Sequence, residues 1–345
     1  MTLHSERGTR VVKSALLFTL YSAASVNVIV IFIFRFGLNA GYWSRFVDMV
    51  SGTAYRPFVY RALVPALVRF VSWITPQAIK DYVREINQSG RLVAMLGWER
   101  AYLYEYFVGV LIFFFLIVGT AFVLRQLVRR FYDFPPSVAD ISPVIAITVL
   151  PVFFRYFNYV YDPATLFLFS FALFCLVKNN IPLFYATFAL ATVNKETSLL
   201  LIGLFALYRY GKMEKQKLFG NLILLFIVFC SIKFAIDYIY RFNPGVFVEV
   251  HFDHTLDVLT HPLLLGYFLV FIFVPGGLIS IKWKSKPIIL RYGLLLMFIP
   301  SFVLGIVFGY IDETRIYYEC YPFAFLLIVP TTVDLFGGRK DWINT

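Results

Sequence analysis

Cysteine is scarce. The three present, Cys175, Cys230 and Cys320, have no paired spacing. That excludes a disulfide framework and a cysteine-built zinc site, and it reads the thiols as small buried hydrophobes. Charge is also thin, at 15% of residues where a soluble chain carries about a quarter. The chain has no dinucleotide-binding glycine fingerprint, P-loop, HExxH or GxSxG run, so the commonest soluble chemistries have no foothold. It has no RNP or zinc-finger signature either, and its net charge of +11 therefore does not read as nucleic-acid binding. There is no internal repeat, low-complexity linker or second soluble domain.

What is present is apolar length. Hydrophobic residues make up 60% of the 345, with 40 Phe and 23 Tyr, and the mean hydropathy is +0.76. One soluble core has no room for that much apolar surface, so a lipid bilayer is the natural solvent, with aromatic belts at its interfaces. Ten apolar runs follow along the chain: 14–34, 102–124, 141–157, 161–177, 181–193, 197–208, 218–240, 263–281, 288–310 and 321–336. The first follows Arg7, Arg10 and Lys13 but is too long for a signal peptide, so we read it as an uncleaved helix.

Charge orients these runs. Arg125, Arg129 and Arg130, then Lys178, then Arg209, Lys212, Lys215 and Lys217, then Lys282, Lys284 and Lys286, then Arg339 and Lys340 fall in alternate loops. Cytoplasmic loops collect such residues. Ten crossings place both termini in the cytoplasm of a multi-pass protein of the inner (cytoplasmic) membrane. The expected fold is therefore an all-α integral membrane protein, one polytopic domain over 1–345 with about ten membrane-embedded helices. Its long first loop, 37–101, lies outside and carries amphipathic helices near 62–74 and 78–96.

The runs 181–193 and 197–208 are too short for the roughly 30 Å hydrocarbon core at 1.5 Å per residue. They are expected to meet part-way, with Asn194-Lys195-Glu196 at the junction beside a wet cavity open to the outer side. On this topology the outer face also gathers Asp48, Arg56, Arg61, Arg155, Asp162, His251, Asp253, His254, Asp312, Glu313, Arg315 and Glu319. Ionisable groups at membrane depth are costly and mark function. Arg56 and Arg61, set among aromatics, suit a phosphate. Asp48 suits a general base, against a plain solvated or capping role. Asp162 before Pro163 suits a helix N-cap as well as a site. Lys195 and Glu196 form either a neutral pair or a phosphate contact beside an acid. Asp312, Glu313 and Arg315 make a dense polar patch after a long run, where charges at a helix end are also ordinary. His251, Asp253 and His254 offer three ligands to a divalent metal, but equally an exposed turn. Lys233 and Asp237, four apart, are expected to neutralise one another on one helix face.

The stretch Phe46-Val47-Asp48 through Tyr55-Arg56-Pro57-Phe58-Val59-Tyr60-Arg61-Ala62-Leu63-Val64-Pro65 resembles the first-loop pattern of mannosyltransferase-like members of the GT-C class of membrane glycosyltransferases. Asn194-Lys195-Glu196-Thr197 and Asp312-Glu313-Thr314-Arg315 look like motifs of bacterial membrane proteins with that layout. Members usually carry an acidic pair close after the first span; here Asp48 is single, and no acid lies between 36 and 46. The resemblance implies a GT-C-like fold and inverting transfer of a sugar from a polyprenyl-phosphate donor to a glycan, lipid or protein acceptor outside the membrane. It makes Asp48 the base, with Glu196 and Asp312 as the further catalytic acids. Substrate would be held by Arg56, Arg61, Asp162, Lys195, Glu313 and Arg315. No metal ligand set is implied; a divalent cation is the one cofactor in question. Two other readings stand beside it: a transporter or flippase, and a non-catalytic scaffold of an envelope-assembly complex.

Overall fold

The computed structural model describes residues 2–35, 37–39, 41–87, 90–246 and 250–336, with side chains from residue 11 onward. Arg339 and Lys340, and the side chains of Arg7 and Arg10, lie outside the described residues. The chain is helical throughout: α1 Thr2–Arg35, α2 Phe46–Ser51, α3 Leu63–Ile74, α4 Gln77–Asn87, α5 Arg91–Met95, α6 Leu103–Phe131, α7 Pro136–Thr148, α8 Asp162–Val177, α9 Ile181–Asn194, α10 Leu200–Arg209, α11 Lys215–Tyr240, α12 Phe252–Thr260, α13 Pro262–Ser280, α14 Ile288–Val307 and α15 Tyr321–Leu335. No strand occurs among the described residues.

Every apolar run of the sequence contains a helix, although the run 141–157 is helical only to Phe153, with α7 ending at Thr148 and a 3-10 turn following. Six stretches are long and apolar enough to cross a membrane: Val11–Arg35, Arg100–Phe131, Pro136–Phe153, Lys215–Tyr240, Pro262–Ser280 and Ile288–Val307. The protein is thus a multi-pass helical membrane protein. The helices α3, α8, α9 and α15 are apolar but shorter. The short length of α8 has a packing reason. It sits among α6, α9, α10 and α15, and nearly every residue from Asp162 to Val177 is buried. A helix that is apolar on all sides belongs in a core, where protein replaces lipid as its neighbour.

Local chemistry sets the element ends. Proline at the first turn starts α7, α8, α9, α13 and α15, where its missing N–H costs nothing. Asn180 Oδ1 caps α9 by accepting the Leu183 N–H at 3.2 Å. Asp162 does not cap α8. It instead accepts the Tyr159 N–H at 3.1 Å, three residues upstream, so its carboxylate is free of the helix and faces the protein interior.

The loop between α1 and α6 is more built-in than an amphipathic surface layer. Val64, Pro65 and Val68 of α3 are buried, and α3 packs on α2, α6 and α9. Arg69 is no stray charge: it donates to the Val50 carbonyl at 2.8 Å at the end of α2. The expected second amphipathic helix is divided into α4 and α5. The loop after α11 returns to this region, and the backbone N–H of Arg56 donates to the Pro244 carbonyl at 2.8 Å. There Gly245 has φ +98°, and a Cβ on it would stand 2.5 Å from the Arg56 carbonyl oxygen. Only glycine permits that approach.

Candidate functional site

The short helices α9 and α10 break where the sequence places the break. After Asn194 the chain is extended at Lys195 (φ −159°, ψ 146°) and then makes one 3-10 turn, Glu196–Leu199. The buried Asn194 amide holds this break in place, donating to the Tyr161 carbonyl at 3.1 Å and to Thr165 Oγ1 at 2.9 Å. The side chains of Lys195, Glu196 and Thr197 are thereby turned into a cavity of ≈ 1040 Å³. Its remaining walls come from the loop between α1 and α3 (Trp43, Phe58, Tyr60, Arg61), from α11 (Phe229, Lys233, Asp237), from α14 (Ser301, Leu304) and from the turn carrying Glu313 and Arg315. Residues more than 270 positions apart thus share one chamber.

Four cations and three carboxylates line it. Arg61 Nη2 donates to Glu196 Oε1 at 2.9 Å, and its other terminal nitrogen donates to the Tyr161 hydroxyl. Arg315 grips Glu313 with two hydrogen bonds, Nε to Oε1 at 2.6 Å and Nη2 to Oε2 at 3.2 Å. It also reaches Tyr161 Oη at 3.4 Å, and its guanidinium lies 4.1 Å from the Tyr159 ring centre. Lys195 Nζ donates to Glu319 Oε1 at 2.7 Å, and Thr197 Oγ1 donates to the same oxygen at 2.5 Å. Tyr60 donates its hydroxyl to Asp237 Oδ1 at 2.7 Å. Behind this lining, Asp162 stands 3.8 Å from Arg315.

Lys233 is the exception. Its ammonium is buried and has no hydrogen-bond partner among the described residues, and the expected pair with Asp237 does not form because Tyr60 has taken that carboxylate. Lys233 acts instead on Glu196. Burial alone would raise the Glu196 carboxyl, but Arg61, Lys233 and Lys195 outweigh it and hold the group well below the ordinary range. Glu196 is nonetheless accessible, with 47% of its side chain exposed to the cavity.

The chamber therefore unites Arg61, Lys195, Glu196, Glu313 and Arg315 of the expected site, with Asp162 directly behind. Three expected residues lie apart from it. Asp48 is held by Arg45, three residues earlier, at 2.8 and 3.3 Å and does not line the cavity. Arg56 spends its guanidinium on the Gly245 carbonyl at 2.9 Å, tying two loops together. Asp312 is fully buried and ringed by Arg155 at 2.9 Å, Tyr156 at 2.6 Å and His254 at 2.8 Å. That ring also takes His254 away from the His251, Asp253 and His254 spacing that the sequence offered equally as a metal set or an exposed turn. Among the described residues no group of three or more His, Cys, Asp or Glu is arranged to hold a metal ion.

Sequence reasoning missed Tyr161 and Tyr159. Both are uncharged, and a search for ionisable groups passes over them, yet the Tyr161 hydroxyl joins the two cavity arginines. The aromatic run from Tyr156 to Tyr161 beside Arg155 and Asp162 was the available signal. Compared with known proteins, the chain matches no family model, no curated protein and no solved structure.

Proposed function

We propose that this protein is a membrane glycosyltransferase that moves a sugar from a polyprenyl-phosphate donor to a glycan, lipid or protein acceptor. The observation that carries the proposal is the lone ammonium of Lys233. Arg61, Lys195 and Arg315 each have a carboxylate, whereas Lys233 has no hydrogen-bond partner among the described residues. A buried cation without a partner is expensive, and an anionic ligand relieves it. A sugar phosphodiester carries one negative charge, and the lipid phosphate that leaves carries up to two. The unmatched cation thus gains most as the bond to the sugar breaks, which is where binding energy speeds a reaction.

The chemistry balances within the chamber. An acceptor hydroxyl attacks the anomeric carbon, the bond from that carbon to the phosphate oxygen breaks, and the configuration inverts. The hydroxyl proton passes to Glu196, the carboxylate with most exposure to the cavity, which regains basicity as the donor phosphate draws Arg61 and Lys233 away from it. The lipid phosphate leaves against Lys233 and Arg61. Trp43 and Phe157 supply flat faces for a sugar ring. A lipid-borne donor is further supported by the cavity side between α11 and α14. Both helices pack on α10, but among the described residues they have no extensive contact with each other. Phe234, Leu304 and Phe308 stand exposed along this opening, which suits entry of a prenyl chain from the bilayer.

In this reading ten helical segments are embedded, both termini are cytoplasmic, and the chamber opens outside the cytoplasmic membrane. Purified protein in vesicles, given radiolabelled polyprenyl-phosphate sugars and mixed glycan acceptors, should transfer label. The variant Lys233→Met should lower kcat far more than it raises KM. Absence of transfer from every donor tried, with an unchanged envelope glycan profile in a deletion strain, refutes the proposal. The broken α9–α10 unit favours one second reading, transport of a lipid-linked or small polar substrate past a mid-membrane site. Flux across proteoliposomes that persists in Glu196→Gln supports that reading instead.

A further inference from the structure

A second cluster of charges lies at the opposite end of the bundle. Arg129 stands 26 residues beyond Leu103, about 39 Å along α6 at 1.5 Å per residue. There three cations converge on one carboxylate. Asp140 Oδ1 accepts from Arg125 Nε at 2.6 Å and from Arg129 Nη2 at 2.7 Å, while Lys13 Nζ stands 2.9 Å from Oδ2. The Tyr21 hydroxyl donates to the Asp140 carbonyl at 2.8 Å and completes the junction of α1, α6 and α7. Tying α1 and α6 to the α7 carboxylate takes one cation from each, and neutralising it takes only one. Here two positive charges are in excess.

The excess is also the exposed part. Arg125 is 13% exposed, whereas Arg129 is 36% and Lys13 49% exposed. Arg129 uses one terminal nitrogen on Asp140, which leaves its Nε and other terminal nitrogen as accessible donors. The neighbouring turns of α1 and α7 present Val12, Leu16, Ile141 and Ile145, each more than half exposed. Cationic heads above bare apolar flanks match a phospholipid in both halves: phosphate oxygens for the donors and acyl chains for the flanks. A free phosphate ion would leave the apolar half unused.

We infer that Lys13 and Arg129, braced by Asp140 and Arg125, bind the phosphate of an anionic phospholipid in the leaflet opposite the cavity. The site is independent of the proposed transferase chemistry. Native mass spectrometry on the full-length protein, released from detergent with phosphatidylglycerol or phosphatidylcholine, tests it. The wild type should retain phosphatidylglycerol preferentially. The double variant Lys13→Gln/Arg129→Gln should weaken that preference about thirtyfold, from the loss of two charges at a lipid surface. Asp140→Asn should keep or strengthen it, since the surplus rises. A melting curve in phosphatidylcholine alone confirms that each variant is folded. Equal retention of the two lipids, an equal loss from Lys215→Gln/Lys217→Gln, or displacement of the lipid by millimolar inorganic phosphate would overturn the assignment.

Discussion

The pair formed by Lys195 and Glu319 offers the sharpest test of how the cavity wall is built. Glu319 is fully buried and Lys195 is 8% exposed at its side chain, with 2.7 Å between them. Glu319 Oε2 has no hydrogen-bond partner among the described residues, so the carboxylate depends on Lys195 and Thr197 through its other oxygen. Replacing Glu319 with Ala strands the ammonium. Removing one partner of a buried pair costs about 3–5 kcal/mol, whereas replacing both by apolar groups of similar volume is close to neutral. We therefore expect Glu319→Ala and Lys195→Met each to lower stability by about 3 kcal/mol or more. Lys195→Met/Glu319→Leu should recover most of that loss, a coupling of about 2 kcal/mol or more in a double-mutant cycle. Unfolding by dodecyl sulfate titration from mild detergent, followed by far-ultraviolet circular dichroism, measures it. If the single losses are under about 1 kcal/mol, or simply add in the double variant, the wall is not held by this pair and the reasoning is refuted.

Two further outcomes follow from the geometry. The depressed Glu196 carboxyl stabilises the fold through its ionised form, so its contribution is complete above the ordinary value of 4.5 and is lost as pH falls through and below it. Wild type should therefore lose stability more steeply than Glu196→Gln between about pH 5 and pH 3, and parallel curves would exclude the ion pair with Arg61. Asp48→Ala, outside the chamber and held by Arg45 at a partly exposed site, should change sugar transfer less than about threefold and stability by no more than about 1 kcal/mol. A loss of transfer by a hundredfold or more would return the general-base role to Asp48.

The helices themselves were legible in the chain. An apolar run of 17 or more residues can satisfy its backbone only by coiling on itself in an apolar solvent, so composition and length suffice to find it. The break at Asn194-Lys195-Glu196 was legible for a related reason: two runs too short for a bilayer must meet somewhere, and the polar residues mark where. The gathering of Arg61, Lys195, Glu196, Glu313 and Arg315 was half legible, since alternate loop charge puts them at one end of the bundle. Which acid holds which cation was decided by tertiary structure alone. Asp48 and Asp312 read in sequence like Glu196, yet one is clasped by an arginine three residues away and the other by groups from two distant segments. Helix periodicity puts Lys233 and Asp237 on one face, but Tyr60, 177 residues from Asp237, takes the carboxylate. Hydropathy is a local property that a single chain carries in plain view. Charge pairing depends on distances of a few ångströms between remote segments, and only the packed bundle sets those distances.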